Sequence, residues 1–149
     1  MKDQHHIHWN NFHNNISFAF KEFISKGQFA DVTLVSDDQT EIQAHKIVLA
    51  VCSPILKDLL INDPHSYPVL YLRGVSKIEL QSILEFMYSG EVSIHQDFIK
   101  KFITLAKDLK IKALMSDNIL DLLNNEKEIE NVYEFKQDDN QTNETDYIL

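Results

Sequence analysis

Ala30-Asp31-Val32-Thr33-Leu34-Val35, followed by Glu41-Ile42-Gln43-Ala44-His45-Lys46-Ile47-Val48-Leu49-Ala50-Val51-Cys52-Ser53-Pro54, decides how this chain folds. Two short apolar runs flank Asp37-Asp38-Gln39, residues with turn chemistry, so the pair predicts a β-hairpin over 31–36 and 41–45. The second run passes without a loop into an almost wholly apolar helix over 46–52, a turn expected to be fully buried. Ser53 can cap a following helix, and Pro54 suits its first position, where a missing N–H costs nothing. A strand–strand–helix hub of this kind is a scaffold. It contains no glycine-rich phosphate loop, no metal-ligand spacing and no nucleophile beside a base. It points to a protein-binding module.

Outward from the hub, the pattern is helical with short strands. Phe12, Ile16, Ala19, Phe20 and Phe23 form the stripe of an amphipathic helix, and Gly27 stands where it would end. Phe18 and Ile24 lie off that stripe. A helix with apolar residues on two sides needs two neighbours, and one can come from another chain. The opening run His5–Trp9 alternates at Ile7 and Trp9 and predicts a strand against something apolar. Ile55, Leu56, Leu59 and Leu60 give the helix after Pro54 its expected buried face, which Asp63-Pro64 ends. Val69–Leu72 predicts a buried strand. Ser76-Lys77-Ile78-Glu79 is a capping box opening a helix whose face is Leu80, Ile83, Leu84, Met87 and Tyr88, with Gly90 as its stop. Glu91–Ile94 offers a further short strand. Phe98, Phe102, Leu105, Ala106 and Leu109 predict another helix, and Leu114, Met115, Ile119, Leu122 and Leu123 a last one.

After Leu123 the stripe fails, and residues 124–149 are rich in Asn, Glu, Asp and Gln. Such a segment buries too little surface to offset its ordering entropy and is expected to be largely disordered, with a helix over 126–135 left open. The charge follows the same division. Of the net −9, residues 1–123 carry 15 acidic and 12 basic side chains, and residues 124–149 carry 8 and 2. A domain over 1–123 with an acidic tail or linker over 124–149 is the expected layout.

Composition excludes several classes. The chain has one arginine, Arg73, and its tightest basic cluster, Lys100, Lys101, Lys107, Lys110 and Lys112, has the spacing of a solvated helix face, so direct nucleic-acid binding is not expected. No apolar run is long enough for a membrane span, and no apolar signal segment follows the first residues. The single cysteine, Cys52, makes no internal disulfide, which fits a reducing compartment. Asn15-Ile16-Ser17, Asn140-Gln141-Thr142 and Asn143-Glu144-Thr145 match the glycosylation pattern by chance on that reading.

Three groupings invite chemistry. His6 and His8 share one face of a strand beside His5, giving two zinc ligands where a structural site takes four. His45 and Cys52 share a helical face but stand about 10 Å apart along the axis, too far for a thiol–imidazole pair. The pairs Asp37-Asp38 and Asp138-Asp139 sit in a turn and a polar tail. Neither catalytic residues nor a metal or cofactor is expected.

Asp31-Val32-Thr33-Leu34, Ala44-His45-Lys46-Ile47-Val48-Leu49-Ala50, Cys52-Ser53-Pro54 and Phe86-Met87-Tyr88-Ser89-Gly90-Glu91, in this order and spacing, resemble the BTB/POZ domain from about His5 to Leu123. The opening Ile7-His8-Trp9-Asn10-Asn11-Phe12 is similar to the tramtrack group of insect BTB domains, with His5 at that group's aromatic position and His8 at its basic one. The resemblance implies an α+β fold, a helical cluster capped by a small mixed sheet, assembled as a strand-swapped homodimer. It implies a swapped strand over 6–9, pairing with 91–94 of the partner, and a dimer helix over about 11–25. The implied interface is Ile7, Trp9, Phe12, Ile16, Phe20, Phe23, Val92 and Ile94. A charged pocket at Asp31 and Lys46 is implied as well; buried charges of that kind must pair, since stranding one costs about 3–5 kcal/mol.

The function expected from the resemblance is homodimerisation or higher multimerisation within a nuclear transcription or chromatin regulator. Its partners would be itself and other BTB or regulatory proteins, with no direct contact to nucleic acid or membrane; a cytoplasmic location stays open. The alternative is a substrate-receptor subunit of a cullin-type ubiquitin ligase, and a small metal-dependent enzyme built on the histidines is a further rival.

Overall fold

The hairpin lies where the sequence places it. Strand β1 (Val32–Val35) pairs antiparallel with β2 (Glu41–Ala44), with Val32 opposite Ala44 and Val35 opposite Glu41. In the computed structural model, which describes residues 2–114, β3 (Val69–Tyr71) lies parallel to β1 on its other side, giving the order β2-β1-β3. The sheet is therefore small and mixed. Its central strand is buried at all four positions. The hairpin turn passes through Gln39 at φ 63°, and the Asp37 carboxylate accepts from the Gly74 amide at 2.9 Å, tying the turn to the loop after β3.

Among the described residues, five α-helices accompany the sheet: α1 (Phe12–Lys26), α2 (Lys46–Cys52), α3 (Pro54–Asn62), α4 (Lys77–Ser89) and α5 (Ile99–Asp108). Their ends obey local hydrogen-bond rules. Gly27 closes α1 in the left-handed region, its N–H donating to the Phe23 carbonyl. The Ser76–Glu79 capping box opens α4, and Gly90 at φ 76° closes it. Ser53 does two things at once: its hydroxyl accepts from Leu56 N–H at 3.1 Å, opening α3, and donates to the Leu109 carbonyl at 2.5 Å, fastening α3 to the end of α5. Helix α5 ends in a Schellman turn, with Ile111 N–H on the Ala106 carbonyl (2.9 Å) and Lys110 N–H on the Lys107 carbonyl (3.0 Å). The left-handed position of that turn is held by Lys110 at φ 51°, not by glycine, at a cost of about 1–2 kcal/mol. Short 3-10 turns at Gln96–Phe98 and Lys112–Leu114 flank α5.

The core gathers Leu34 from β1, Leu49 from α2, Leu56 from α3, Leu80, Ile83 and Met87 from α4, and Phe102 and Ala106 from α5. Each large side chain removed from water contributes about 1.5–3 kcal/mol, so this cluster is the principal source of stability.

Three expectations about burial need correction. The turn 46–52 is not fully buried: Ile47 is 67% and Val51 54% exposed, because α2 packs against α3 and α4 and presents these two residues, one turn apart, to the outside. Leu59 in α3 is likewise exposed. Strand β3 alternates, with Val69 and Tyr71 outward and Leu70 against the core, as befits an edge strand. The pairing expected for segments 6–9 and 91–94 is between two chains; within the single chain neither forms a ladder among the described residues. The predicted last helix beyond Leu114 and the acidic segment 124–149 lie outside the described residues.

Candidate functional site

Helix α1 decides what this fold can do. Its fifteen residues include none that is buried. It divides into two parts. At its C-terminal end, Phe20 and Ile24 pack against the core, and an aromatic chain runs from Phe20 to Phe23 (ring centroids 6.4 Å), on to His45 (6.3 Å) and to Tyr88 (5.7 Å). At its N-terminal end, Phe12, Ile16 and Phe18 face outward. The segment before the helix continues that outward surface: Ile7 is 91% and Trp9 58% exposed, and the Trp9 ring meets Phe12 edge-on at 5.1 Å. Between them opens a cleft of about 330 Å³ lined by His6, Ile7, Trp9, Phe12 and His13.

The eight interface candidates therefore fall into three places. Ile7, Trp9, Phe12 and Ile16 make one exposed apolar run. Phe20 and Phe23 are half-buried and turn towards the hairpin. Val92 and Ile94 are half-buried in the stretch after α4, packed against the core. Ile47 and Val51 on α2 are exposed apolar residues that sequence reasoning assigned to the interior, and a period of 3.6 alone could not say which side of α2 would be covered. Loose exposed leucines and isoleucines are ordinary on a protein surface; a tryptophan, a phenylalanine and two isoleucines within ten residues make a patch.

Asp31 and Lys46 come together, but not as the expected ion pair. The Asp31 carboxylate accepts from the backbone N–H of Lys46 at 2.7 Å, so it caps the first amide of α2, where a negative charge is favoured. The Lys46 ammonium reaches instead to the Ser66 carbonyl at 3.0 Å and the His65 carbonyl at 3.4 Å, bracing the loop after α3. The structural reason is reach: once the backbone of Lys46 sits on Asp31, its side chain leaves in the other direction along the helix. In that loop the Asp63 carboxylate is held below the usual carboxylate range, chiefly by the His65 backbone amide and then by its ring.

The histidines and the cysteine divide between surface and core. His45 is buried. Its Nε2 bonds the Gln28 carbonyl at 2.5 Å and its Nδ1 bonds the Tyr88 hydroxyl at 2.7 Å. That hydroxyl also accepts from the His45 backbone N–H at 2.9 Å; because the Gln28 carbonyl can only accept, Nε2 is the protonated nitrogen of the neutral ring and the hydroxyl donates to Nδ1. Burial pushes the Tyr88 phenol well above its ordinary pKa. Cys52 is buried with its Sγ 3.7 Å from the Met87 carbonyl, and burial pushes its thiol up, so it is no thiolate nucleophile. His6 and His8 lie with ring centroids 6.4 Å apart, and no group of three or more metal-ligating side chains occurs among the described residues. No helix among the described residues is long and apolar enough to cross a membrane.

Comparison with known proteins gives consistent relatives. The BTB/POZ domain family model matches residues 20–126. The chain is 43% identical over 111 residues to the Drosophila melanogaster Longitudinals lacking protein-like, covering 74% of this chain and 87% of that protein. It is 37% identical over 112 residues to the alpha isoform of Drosophila melanogaster Protein tramtrack, covering 75% of this chain but 14% of that much longer protein. Among solved structures, the BTB domain of zebrafish PATZ1 superposes with a TM-score of 0.67 at 19% identity, over 81% of this chain and 95% of that one, a likeness of fold. The BTB domain of human Gigaxonin gives 0.64 at 25% identity, over 76% and 92%.

Proposed function

The chain belongs to the BTB/POZ domain family, and on that premise we propose that it is a non-catalytic self-association module, working as a homodimer or a larger multimer within a transcription or chromatin regulator. The observation that carries this reading is the apolar run Ile7, Trp9, Phe12 and Ile16, exposed along the segment before α1 and on α1 itself, a helix with no buried residue. Covering such a run with the same run of a second copy is the self-complementary solution a two-fold dimer provides. In this reading segment 6–9 crosses to pair with segment 91–94 of the partner, which gives both their missing ladder. Phe20 and Phe23 then set the angle of α1, while Ile47 and Val51 extend the seam beyond the residues legible in the sequence.

The role in gene regulation draws on the likeness to the tramtrack group, as does a nuclear location. The module's contribution would be avidity: joining copies makes each later DNA contact by other regions effectively intramolecular. Asp31 and Lys46 then serve as a capping and bracing pair that shapes the hub. Co-expression of two differently tagged copies tests the core of this reading. Capture of one tag is expected to retain the other through a wash in high salt, because the seam is apolar. Recovery of a single tag alone would overturn it.

A further inference from the structure

The charge of this molecule is concentrated in one place. Residues 100–112 hold five lysines and one aspartate, a local +4, whereas the remaining residues hold 9 basic and 22 acidic side chains, or −13. The structure turns this island into a surface. Phe102, Ile103, Leu105, Ala106 and Leu109 face the core, so Lys100, Lys101, Thr104, Lys107 and Asp108 share the outer face of α5. The Schellman turn then carries the chain through Lys110, and burial of Ile111 and Leu114 leaves Lys110 and Lys112 outward at the helix end. A left-handed lysine where glycine is the usual residue keeps a fifth cation beside the helix C-terminus.

We propose that this lysine face of α5 is a docking surface for the acidic segment 124–149 of the same chain. Charge complementarity singles that segment out, with 8 acidic and 2 basic side chains in 26 residues. So does position. Eleven residues separate Lys112 from Asn124, a stretch that can span at most roughly 40 Å, while α5 is only about 15 Å long. Every lysine of the face is within reach, and a tether this short supplies a millimolar effective concentration with no partner to find. The consequence is a self-shielded basic face on an otherwise acidic protein.

Zero-length carbodiimide cross-linking of the full chain tests this. Denaturing electrophoresis separates species of one chain's mass from doubled ones, and peptide mapping of the single-mass band identifies the joined residues. The expected links join Glu and Asp of 124–149 to Lys100, Lys101 and Lys107, in excess over Lys21, Lys57 and Lys77. They should fade as salt rises from about 0.1 M to about 1 M, where screening shortens from ~10 Å to ~3 Å. The variant Lys101→Glu/Lys107→Glu changes only exposed positions, and should lower the links at Lys100 about fivefold, the scale surface charge pairs support. Links spread evenly over all lysines, links indifferent to salt, or links confined to the doubled band would each overturn the proposal. So would tight binding of a short DNA duplex by the unmodified chain at low salt, since a shielded face should bind it only after the segment is neutralised.

Discussion

The Tyr88 hydroxyl sits 2.9 Å from the backbone nitrogen of His45 and 2.7 Å from its Nδ1, joining the middle of α4 to the residue where the hairpin becomes a helix, 43 positions away. One oxygen thereby accepts from an amide and donates to an imidazole, all inside the core. The Phe23 ring of α1 lies tilted against the same imidazole, centroids 6.3 Å apart, so the outward helix meets the hub at this contact.

Replacing Tyr88 with Phe keeps the ring and removes the oxygen. Two buried polar groups of His45 lose their partner, at an expected cost of about 1–3 kcal/mol. Urea unfolding should show a lower midpoint at unchanged slope. An unchanged midpoint would mean that His45 is satisfied elsewhere.

The same phenol sets an alkaline limit. Its pKa is raised in the folded chain, so the unfolded chain ionises first as pH climbs past about 10. The contribution is whole below that pH and is lost above it. Ultraviolet titration should show one tyrosine that ionises only as the chain unfolds, and Tyr88→Phe should abolish that coupled transition.

Asp63 sets an acidic response in the loop braced by Lys46. Its carboxylate is depressed below 3.8 by the His65 amide and ring. A depressed acid stabilises above its unfolded pKa and loses that contribution as pH falls through its folded one, so the loop should loosen only below about pH 4. Carboxyl-detected NMR titration should place the Asp63 midpoint below the ordinary aspartate value; a midpoint at or above it would remove the loop contact.

Ser53→Ala removes both the cap of α3 and the tie to Leu109. The cap alone is worth about 1 kcal/mol, and the orphaned Leu109 carbonyl adds about 1–3 kcal/mol. Thermal unfolding should report a loss near the upper end for a helix cap, and a loss confined to the cap value would show that water replaces the Leu109 contact.

At the surface the expected order is different. Trp9→Ala should weaken self-association more than His6→Ala, since tryptophan covers far more apolar area. Ile47→Asp and Val51→Asp should each change the chain's own stability by less than about 0.5 kcal/mol, because both are exposed in the single chain, yet loosen the assembly. Sedimentation velocity separates the two effects.

What the sequence made legible was local. Gly27, Ser53-Pro54, Ser76 with Glu79, and Gly90 each announce a helix end because the hydrogen bonds they serve lie within a few residues. The hairpin follows from period-two patterning, whereas the unbroken apolar run over 69–72 announces a strand but not that it would stand at the sheet edge. The BTB/POZ resemblance carried the family. What stayed hidden depends on distant partners. Nothing in the vicinity of His45 announces Tyr88, and Ser53 gives no sign of Leu109, 56 residues on. The apolar run 46–52 told its helical period but not that Ile47 and Val51 would be uncovered. The resemblance implied a charged pocket at Asp31 and Lys46; within the chain the carboxylate takes the Lys46 backbone amide and the ammonium reaches a loop.

The central claim is that the exposed run from Ile7 to Ile16 is a self-association surface. Light scattering of the full chain across a micromolar concentration series measures this most directly. The account expects a mass of twice 17.4 kDa or a higher multiple, falling towards a single chain when Trp9 is replaced by alanine. A uniform 17.4 kDa species throughout the series would contradict it.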